Sequence, residues 1–245
     1  MIPQRIARLA GVLFLVTFVT SIPALLLYDP VLNDARYIIG RGADGRVSFG
    51  AVLELILIVA NIATAVVLYP VLRRQSRTLS LGYVTARIME SAFIAVGIVS
   101  VLTIVTLRRA GTGSDATLLP IGRTLVALHD WTFVLGPGFV VGIGNGLILG
   151  FLLYRSGLVP RRLAMIGLVG GPLICLSGMA VVMHLIDAGG VAQGIATIPE
   201  FVWELSLGIY LMVRGFRPAP IIAADLGRLD GWEPSAPAAS AVGTV

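Results

Sequence analysis

Six long apolar runs, separated by short polar segments, limit most strongly what this chain can fold into. The runs lie at about residues 6–28, 48–72, 81–107, 128–154, 163–186 and 195–213. A helix of about 20 apolar residues is long enough to cross the hydrocarbon core of a bilayer. Charged residues make up 13% of the 245 residues, whereas soluble domains have about 25%. We therefore predict an all-α integral membrane bundle of six transmembrane helices, with the lipid bilayer as its main partner.

Arginine predicts the orientation of this bundle, because all 18 basic residues are Arg. One face would carry eleven of them: Arg5, Arg8, Arg73, Arg74, Arg77, Arg155, Arg161, Arg162, Arg214, Arg217 and Arg228. The opposite face would carry six: Arg36, Arg41, Arg46, Arg108, Arg109 and Arg123. Since cytoplasmic loops are enriched in basic residues, both termini are predicted to be cytoplasmic. The arginines are scattered rather than clustered, so we expect no nucleic-acid partner.

The predicted domain organisation is simple. Residues 1–214 would form the transmembrane domain. From residue 215 to 245 the composition changes to Pro, Ala, Gly and Ser, which is typical of a flexible tail.

The fourth run contains a stripe of glycines at every fourth position. The stripe consists of Gly138, Gly142, Gly146 and Gly150. Small residues at this spacing let transmembrane helices approach closely. Helix five carries Gly167 and Gly171 at the same spacing and is the natural partner. Alternatively, the stripe packs against a second copy or another subunit, in which case the chain would be an assembly protein. Pro137 should bend the helix, because it has no backbone N–H.

Several ionisable residues fall in the predicted extracytoplasmic half, although they come from four different helices. They are Glu54, His129, Asp130, His184 and Glu204. An acid inside a membrane costs about 2.5–3.5 kcal/mol on insertion scales, so such residues often mark functional sites. The alternative is local: His129 and Asp130 cap helix four, His184 reaches water, and Glu204 lies with Glu200 near a helix N-terminus. Glu54 has no such local explanation.

Arg87 and Glu90 lie three residues apart, hence on one side of helix three. We interpret them as a structural ion pair that lets the cytoplasmic end of this helix enter lipid partly neutralised. The alternative is that they face the bundle and help to gate a path.

Sequence motifs for catalysis are absent. The chain has neither a phosphate-binding Gly-x-x-x-x-Gly-Lys-Ser/Thr loop nor a Gly-x-Ser-x-Gly elbow, and no metal-binding spacing such as His-Glu-x-x-His. We expect no cofactor and favour a protein that is not an enzyme. An intramembrane metal-dependent hydrolase with His129 and His184 as ligands is retained as an alternative.

Four segments resemble a bacterial membrane family catalogued only as a domain of unknown function, 4386 type. These are residues 8–18, His129-Asp130-Trp131 with Gly136-Pro137-Gly138, residues 153–161, and residues 204–216. The resemblance covers roughly residues 5 to 217. It implies a multi-pass protein of the bacterial cytoplasmic (inner) membrane and supplies no activity, cofactor or catalytic residue.

Our leading hypothesis is a membrane protein that binds or transports a small polar or amphipathic solute. Glu54 would be its main ligand or proton carrier, with the other acids and histidines around it.

Overall fold

The computed structural model describes residues 3–40 and 42–223, which are helical almost throughout and contain no strand. The helices are α1 (Pro3–Asn33), α2 (Asp44–Leu72), α3 (Arg77–Ala110), α4 (Asp115–Leu135), α5 (Gly150–Ser156), α6 (Arg161–Val182) and α7 (Val191–Val213). Two π-helical segments, Gly136–Val140 and Gly142–Leu149, join α4 to α5. We call the whole stretch Asp115–Ser156 the broken helix. These described residues thus contain six helices long and apolar enough to span a membrane, which confirms the predicted all-α, multi-pass membrane bundle.

Some helices have different limits from those predicted. The broken helix begins at Asp115 rather than near residue 128, because its first turns pack against the turn that follows α1. A Cβ atom on Gly122 would lie 3.1 Å from a side-chain carbon of Ile38. At the other end, α6 stops at Val182, so His184 lies in a turn, with a positive φ of 57°.

The long helices form a closed ring. Each packs against the next along the chain, from α1 through α2, α3, the broken helix and α6 to α7, and α7 packs against α1. At the contact between the last and first helices, a Cβ atom on Gly11 would lie 2.7 Å from the carbonyl oxygen of Gly208. Only a glycine permits this approach. The ring leaves an interior that all the long helices can reach.

The glycine stripe faces α6 within the same chain. A Cβ atom on Gly142 would lie 2.7 Å from the carbonyl oxygen of Gly171, and one on Gly146 would lie 2.8 Å from the nitrogen of Gly171. Gly150 lies against α6 more loosely, with Leu168 N at 3.4 Å from a Cβ atom. Gly178 of α6 lies against the first glycine of the stripe. A Cβ atom on Gly178 would lie 3.2 Å from the carbonyl oxygen of Gly138.

The π-helical geometry helps to keep the stripe on one face. An α-helix turns in 3.6 residues, so positions four apart drift around its axis. The i→i+5 bonds of a π-helix widen the turn beyond four residues, so the drift there has the opposite sense and offsets that of the α-helical turns. Pro137 begins the first π segment, consistent with its missing N–H group.

Gly167 does not pack against the stripe. A Cβ atom there would lie 2.6 Å from the Trp203 ring on α7. The prediction that Gly167 and Gly171 together face the fourth helix is therefore wrong for Gly167. The physical reason is that residues four apart on a regular α-helix are rotated by about 40°, which is enough to direct one glycine to each neighbour.

The predicted flexible tail starts too early. Phe216 and Ile222 are buried against the bundle. Gln4 donates its side-chain amide to the Phe216 carbonyl at 2.8 Å and accepts the Phe216 N–H at 2.9 Å. Residues 215–223 are therefore part of the packed structure, because this apolar segment covers the ends of α1 and α7. The remainder of the predicted tail, 224–245, lies outside the described residues.

An ionic cluster closes the opposite end of the bundle. Arg108 makes two hydrogen bonds of 3.1 Å to Asp44, Arg109 makes one of 3.1 Å, and the Tyr37 hydroxyl donates to Asp44 at 2.9 Å. Burial, followed by the bond to Asp44, raises the pKa of Tyr37 to about 12. Tyr37 therefore remains a donor throughout the physiological pH range and holds the turn after α1 to Asp44 at the start of α2.

The contact between the stripe and α6 predicts opposite effects for two glycine substitutions. Gly142→Ala places a Cβ atom 2.7 Å from backbone and 2.8 Å from the Cys175 sulfur, so it should destabilise the protein by about 1–3 kcal/mol. Gly194→Ala is the control, because no heavy atom lies within 4 Å of its Cβ position. It should be neutral or stabilise α7 by up to about 1 kcal/mol. Thermal unfolding of the purified proteins in detergent measures both, and equal midpoints would contradict the close contact.

Candidate functional site

A cavity of about 250 Å³ lies inside the ring. It is bounded by residues of α1, α2, α3, the broken helix, α6 and α7. Its polar and ionisable lining residues are Thr17, Ser21, Tyr28, Glu54, Asn61, Arg87, Glu90, His129, Thr132, Thr197, Glu200 and Glu204. Apolar side chains such as Leu57, Ile94 and Ile174 cover the rest of the wall. We call this space the central cavity.

One wall of the central cavity is a hydrogen-bonded network between α2 and α3. Arg87 donates to Glu90 at 2.7 Å and to the Asn61 side-chain oxygen at 2.5 Å. Asn61 donates in turn to the second oxygen of Glu90 at 3.1 Å. Each group thus bonds to the other two. Such closure matters in a membrane, because a buried charge is tolerated only when it is paired and hydrogen-bonded.

The ion pair therefore differs from its predicted setting. The side chains of Arg87 and Glu90 are only 2% and 7% exposed, and both line the central cavity instead of easing a helix end into lipid. The reason is that Asn61 on α2 satisfies both partners only inside the bundle. Of the two sequence interpretations, the geometry agrees with the one in which the pair faces the interior.

Glu204 also lines the central cavity and is held by the broken helix. It accepts a hydrogen bond from the side-chain amide of Asn145, which lies in the second π segment. The indole N–H of Trp203, the residue before Glu204, donates to the Asn145 carbonyl at 3.0 Å. Two adjacent residues of α7, Trp203 and Glu204, thus both bond to Asn145 of the broken helix. These two bonds fix the direction of the Glu204 side chain.

Tyr28 contacts both Glu54 and His129. The Tyr28 hydroxyl donates to Glu54 at 2.8 Å, and the Tyr28 and His129 rings pack edge to face with centroids 5.8 Å apart. Gly97 gives the imidazole room, since a Cβ atom there would lie 3.4 Å from its ring. His129 Nδ1 is buried without a hydrogen-bond partner among the described residues.

Glu200 is the most unusual lining residue. It is 2% exposed, and within residues 3–40 and 42–223 neither carboxylate oxygen has a hydrogen-bond partner. One oxygen lies against two glycines, because Cβ atoms on Gly146 and Gly170 would lie 2.7 and 2.9 Å from it. A buried carboxyl group left without a partner is costly and calls for an explanation.

The structure brings together some of the predicted ligands and separates others. Glu54, His129 and Glu204 line the central cavity. Asp130 and His184 instead line another cavity, of about 270 Å³, near the turn after α6. There the His184 ring packs edge to face on Trp131, with centroids 6.4 Å apart. Asp130 stays near His129, with its Oδ1 atom 3.6 Å from His129 Nδ1, although the two side chains line different cavities.

The metal-hydrolase alternative receives no geometric support. His129 and His184 line different cavities. Among the described residues, no three His, Cys, Asp or Glu side chains are grouped as metal ligands.

Sequence reasoning missed Glu200 as a cavity residue. The sequence predicts a helix start near residue 195 or at residue 199, which places Glu200 in an early turn, where the helix dipole explains an acid. The structure begins α7 at Val191, so Glu200 lies more than two turns inside. Its four-residue spacing from Glu204 was the available signal, because residues so spaced share a helix face.

Comparison with known families gives one match. The family model described as "Domain of unknown function (DUF4386)" matches residues 9–215. Comparisons with curated proteins and with solved structures found no match.

The closed network predicts how paired substitutions behave. Arg87→Met should destabilise the protein by about 3–5 kcal/mol, because Glu90 would remain buried without its counter-charge. The double variant Arg87→Met, Glu90→Leu should regain much of that loss, since it removes both charges. Unfolding midpoints in detergent test this. A double variant as unstable as the single one would show that the pair itself contributes little.

Proposed function

The chain belongs to the DUF4386 family of unknown function, and from that premise we propose that it binds a small amphipathic solute in its central cavity. The observation that carries the proposal is the convergence of ionisable groups from four helices on this one space. Glu54 comes from α2, Glu90 from α3, His129 from α4, and Glu200 and Glu204 from α7. Polar groups at such depth are retained mainly where they serve a site.

The size and lining of the central cavity support a small ligand with one apolar part. Binding pockets for drug-sized molecules span about 300–1,000 Å³, and this cavity holds about 250 Å³. Its wall combines a few convergent polar groups with larger apolar surfaces, which is the usual composition of a small-molecule site.

The rim of the cavity reaches the lipid-facing surface. Ile22 and Leu25 of α1, Phe133 of α4 and Phe201 of α7 line the cavity, yet are 44–50% exposed on the outside of the bundle. An amphipathic solute that partitions into the bilayer would meet this rim directly. This supports entry from the membrane rather than from water alone.

The broken helix supports transport as the finer form of the proposal. Pro137 and Val141, in and between its π segments, line the central cavity. Carriers commonly place discontinuous helices at their substrate sites, where loosened backbone can rearrange. A carrier function requires that this helix move while α1, α2 and α3 stay packed.

Three probes of similar shape test binding: benzylammonium, benzyl alcohol and phenylacetate. At a concentration one hundred times the Kd, a bound probe stabilises the folded state by about 2.7 kcal/mol. We expect at least one probe to raise the unfolding midpoint in a saturable manner. Glu54→Gln should reduce this rise while the variant still inserts into membranes, because the substitution removes the ionisable group that Tyr28 holds at the cavity wall.

The control for this experiment is Asp115→Asn, which removes an exposed acid in the first turn of α4. It should leave the response unchanged. A wild-type protein that responds to none of the probes, or a Glu54→Gln variant that responds fully, would refute the proposal. Uptake of the bound probe into proteoliposomes then separates transport from binding alone.

We also propose that the protein lies in the bacterial cytoplasmic membrane with both termini inside. Eleven arginines on the terminal side against six on the other support this orientation. A fluorescent-protein fusion at the C-terminus should fluoresce, whereas a secreted phosphatase fused there should be inactive. The reverse result would invert the topology.

A further inference from the structure

We infer that the solute is an organic ammonium ion and that Glu200 is its counter-ion. This inference rests on the proposed function and names the chemical class of its ligand. Nothing in the family match assigns a role to Glu200.

The first observation is the state of the four cavity carboxyl groups. Glu54 has Tyr28, Glu90 has Arg87 and Asn61, and Glu204 has Asn145. Of these four, Glu200 is left with two buried oxygens and no donor from the described residues. Ammonium N–H groups are the donors that would satisfy it, and such charge-assisted bonds are about twice as strong as neutral ones.

The second observation is the charge balance. Four carboxyl groups line the central cavity, and among the lining residues Arg87 is the one permanently charged cation. Like charges in a medium of low dielectric constant repel strongly. A ligand that brings positive charge reduces this repulsion, whereas an anion increases it. The cavity therefore selects for cations.

The third observation separates an organic cation from an inorganic one. Metal cations such as Ca²⁺ or Mg²⁺ take about six or more oxygen ligands. One oxygen of Glu200 lies against two glycines, and the described residues contain no group of three His, Cys, Asp or Glu side chains placed to hold a metal. Close by, the wall contains Phe201, Val141 and Ile174. The Phe18 and Phe201 rings, which pack edge to face at 5.1 Å, add aromatic surface. Aromatic faces attract organic cations.

The experiment compares benzylammonium with neutral benzyl alcohol on the wild type and on Glu200→Gln, in detergent at pH 7. For the wild type we expect benzylammonium to bind at least about tenfold more tightly than benzyl alcohol. For Glu200→Gln this preference should disappear while benzyl alcohol still binds, which also shows that the variant is folded. Glu200→Asp, which keeps the charge, should retain part of the preference, and Asp115→Asn all of it.

The outcomes distinguish this inference from the proposed function. Binding of benzyl alcohol or phenylacetate without a preference for benzylammonium, or a preference that survives Glu200→Gln, would overturn the ammonium class and leave solute binding intact. A Glu200-dependent stabilisation by sodium chloride alone would replace the organic ion with an inorganic one. No saturable response to any probe would overturn both proposals.

Discussion

The close approach of α6 to the second π segment of the broken helix determines most of what lies inside this protein. Side chains are absent at Gly142, Gly146 and Gly171, so the two backbones touch. In lipid there is little hydrophobic drive between helices, and such contacts supply the packing that holds a bundle together. Because α7 packs against the other faces of α6, at Gly167 and Gly170, the same contact directs Glu200 and Glu204 into the ring. A wider separation would leave both acids between helices rather than in a cavity.

Two kinds of buried polar group result from this arrangement. Arg87, Glu90 and Asn61 satisfy one another completely and behave as a rigid wall. Glu200 and His129 keep buried atoms without partners among the described residues. A membrane interior offers no bulk water to complete such groups. The satisfied set accounts for structure, and under the proposed function the unsatisfied set is where the solute would bind.

The sequence predicted the membrane bundle, its six spans and its family, since length, hydropathy and glycine spacing are local properties. Glu54, His129 and Glu204 were also predicted together. The sequence did not show that Asp130 and His184 line a different cavity. The directions of the side chains on α4 and the early end of α6 depend on packing, which the sequence alone does not reveal. Glu200 was missed because the predicted helix start lies about one turn after the observed start, so the helix N-terminus was enough to explain the acid. The segment 215–223 was read as flexible from its composition, whereas its few apolar residues cover the helix ends. The assembly alternative required a glycine stripe that is available to pack against another chain. In the structure Gly142 and Gly146 pack against α6 of the same chain.

The reciprocal bonds between Gln4 and Phe216 have a consequence for how the protein is made. They join the start of the first helix to the segment after the last, so the ring can close only after all six long helices have been synthesised. The α2–α3 hairpin contains Arg87, Glu90 and Asn61. The charges of Arg87 and Glu90 can therefore neutralise each other within the hairpin, before the later helices are present. Glu200 and Glu204 arrive last, and Glu204 finds Asn145 only when α7 docks. The docking of α7 against α6 and α1 therefore does two things at once, because it closes the ring and brings these two acids to the central cavity.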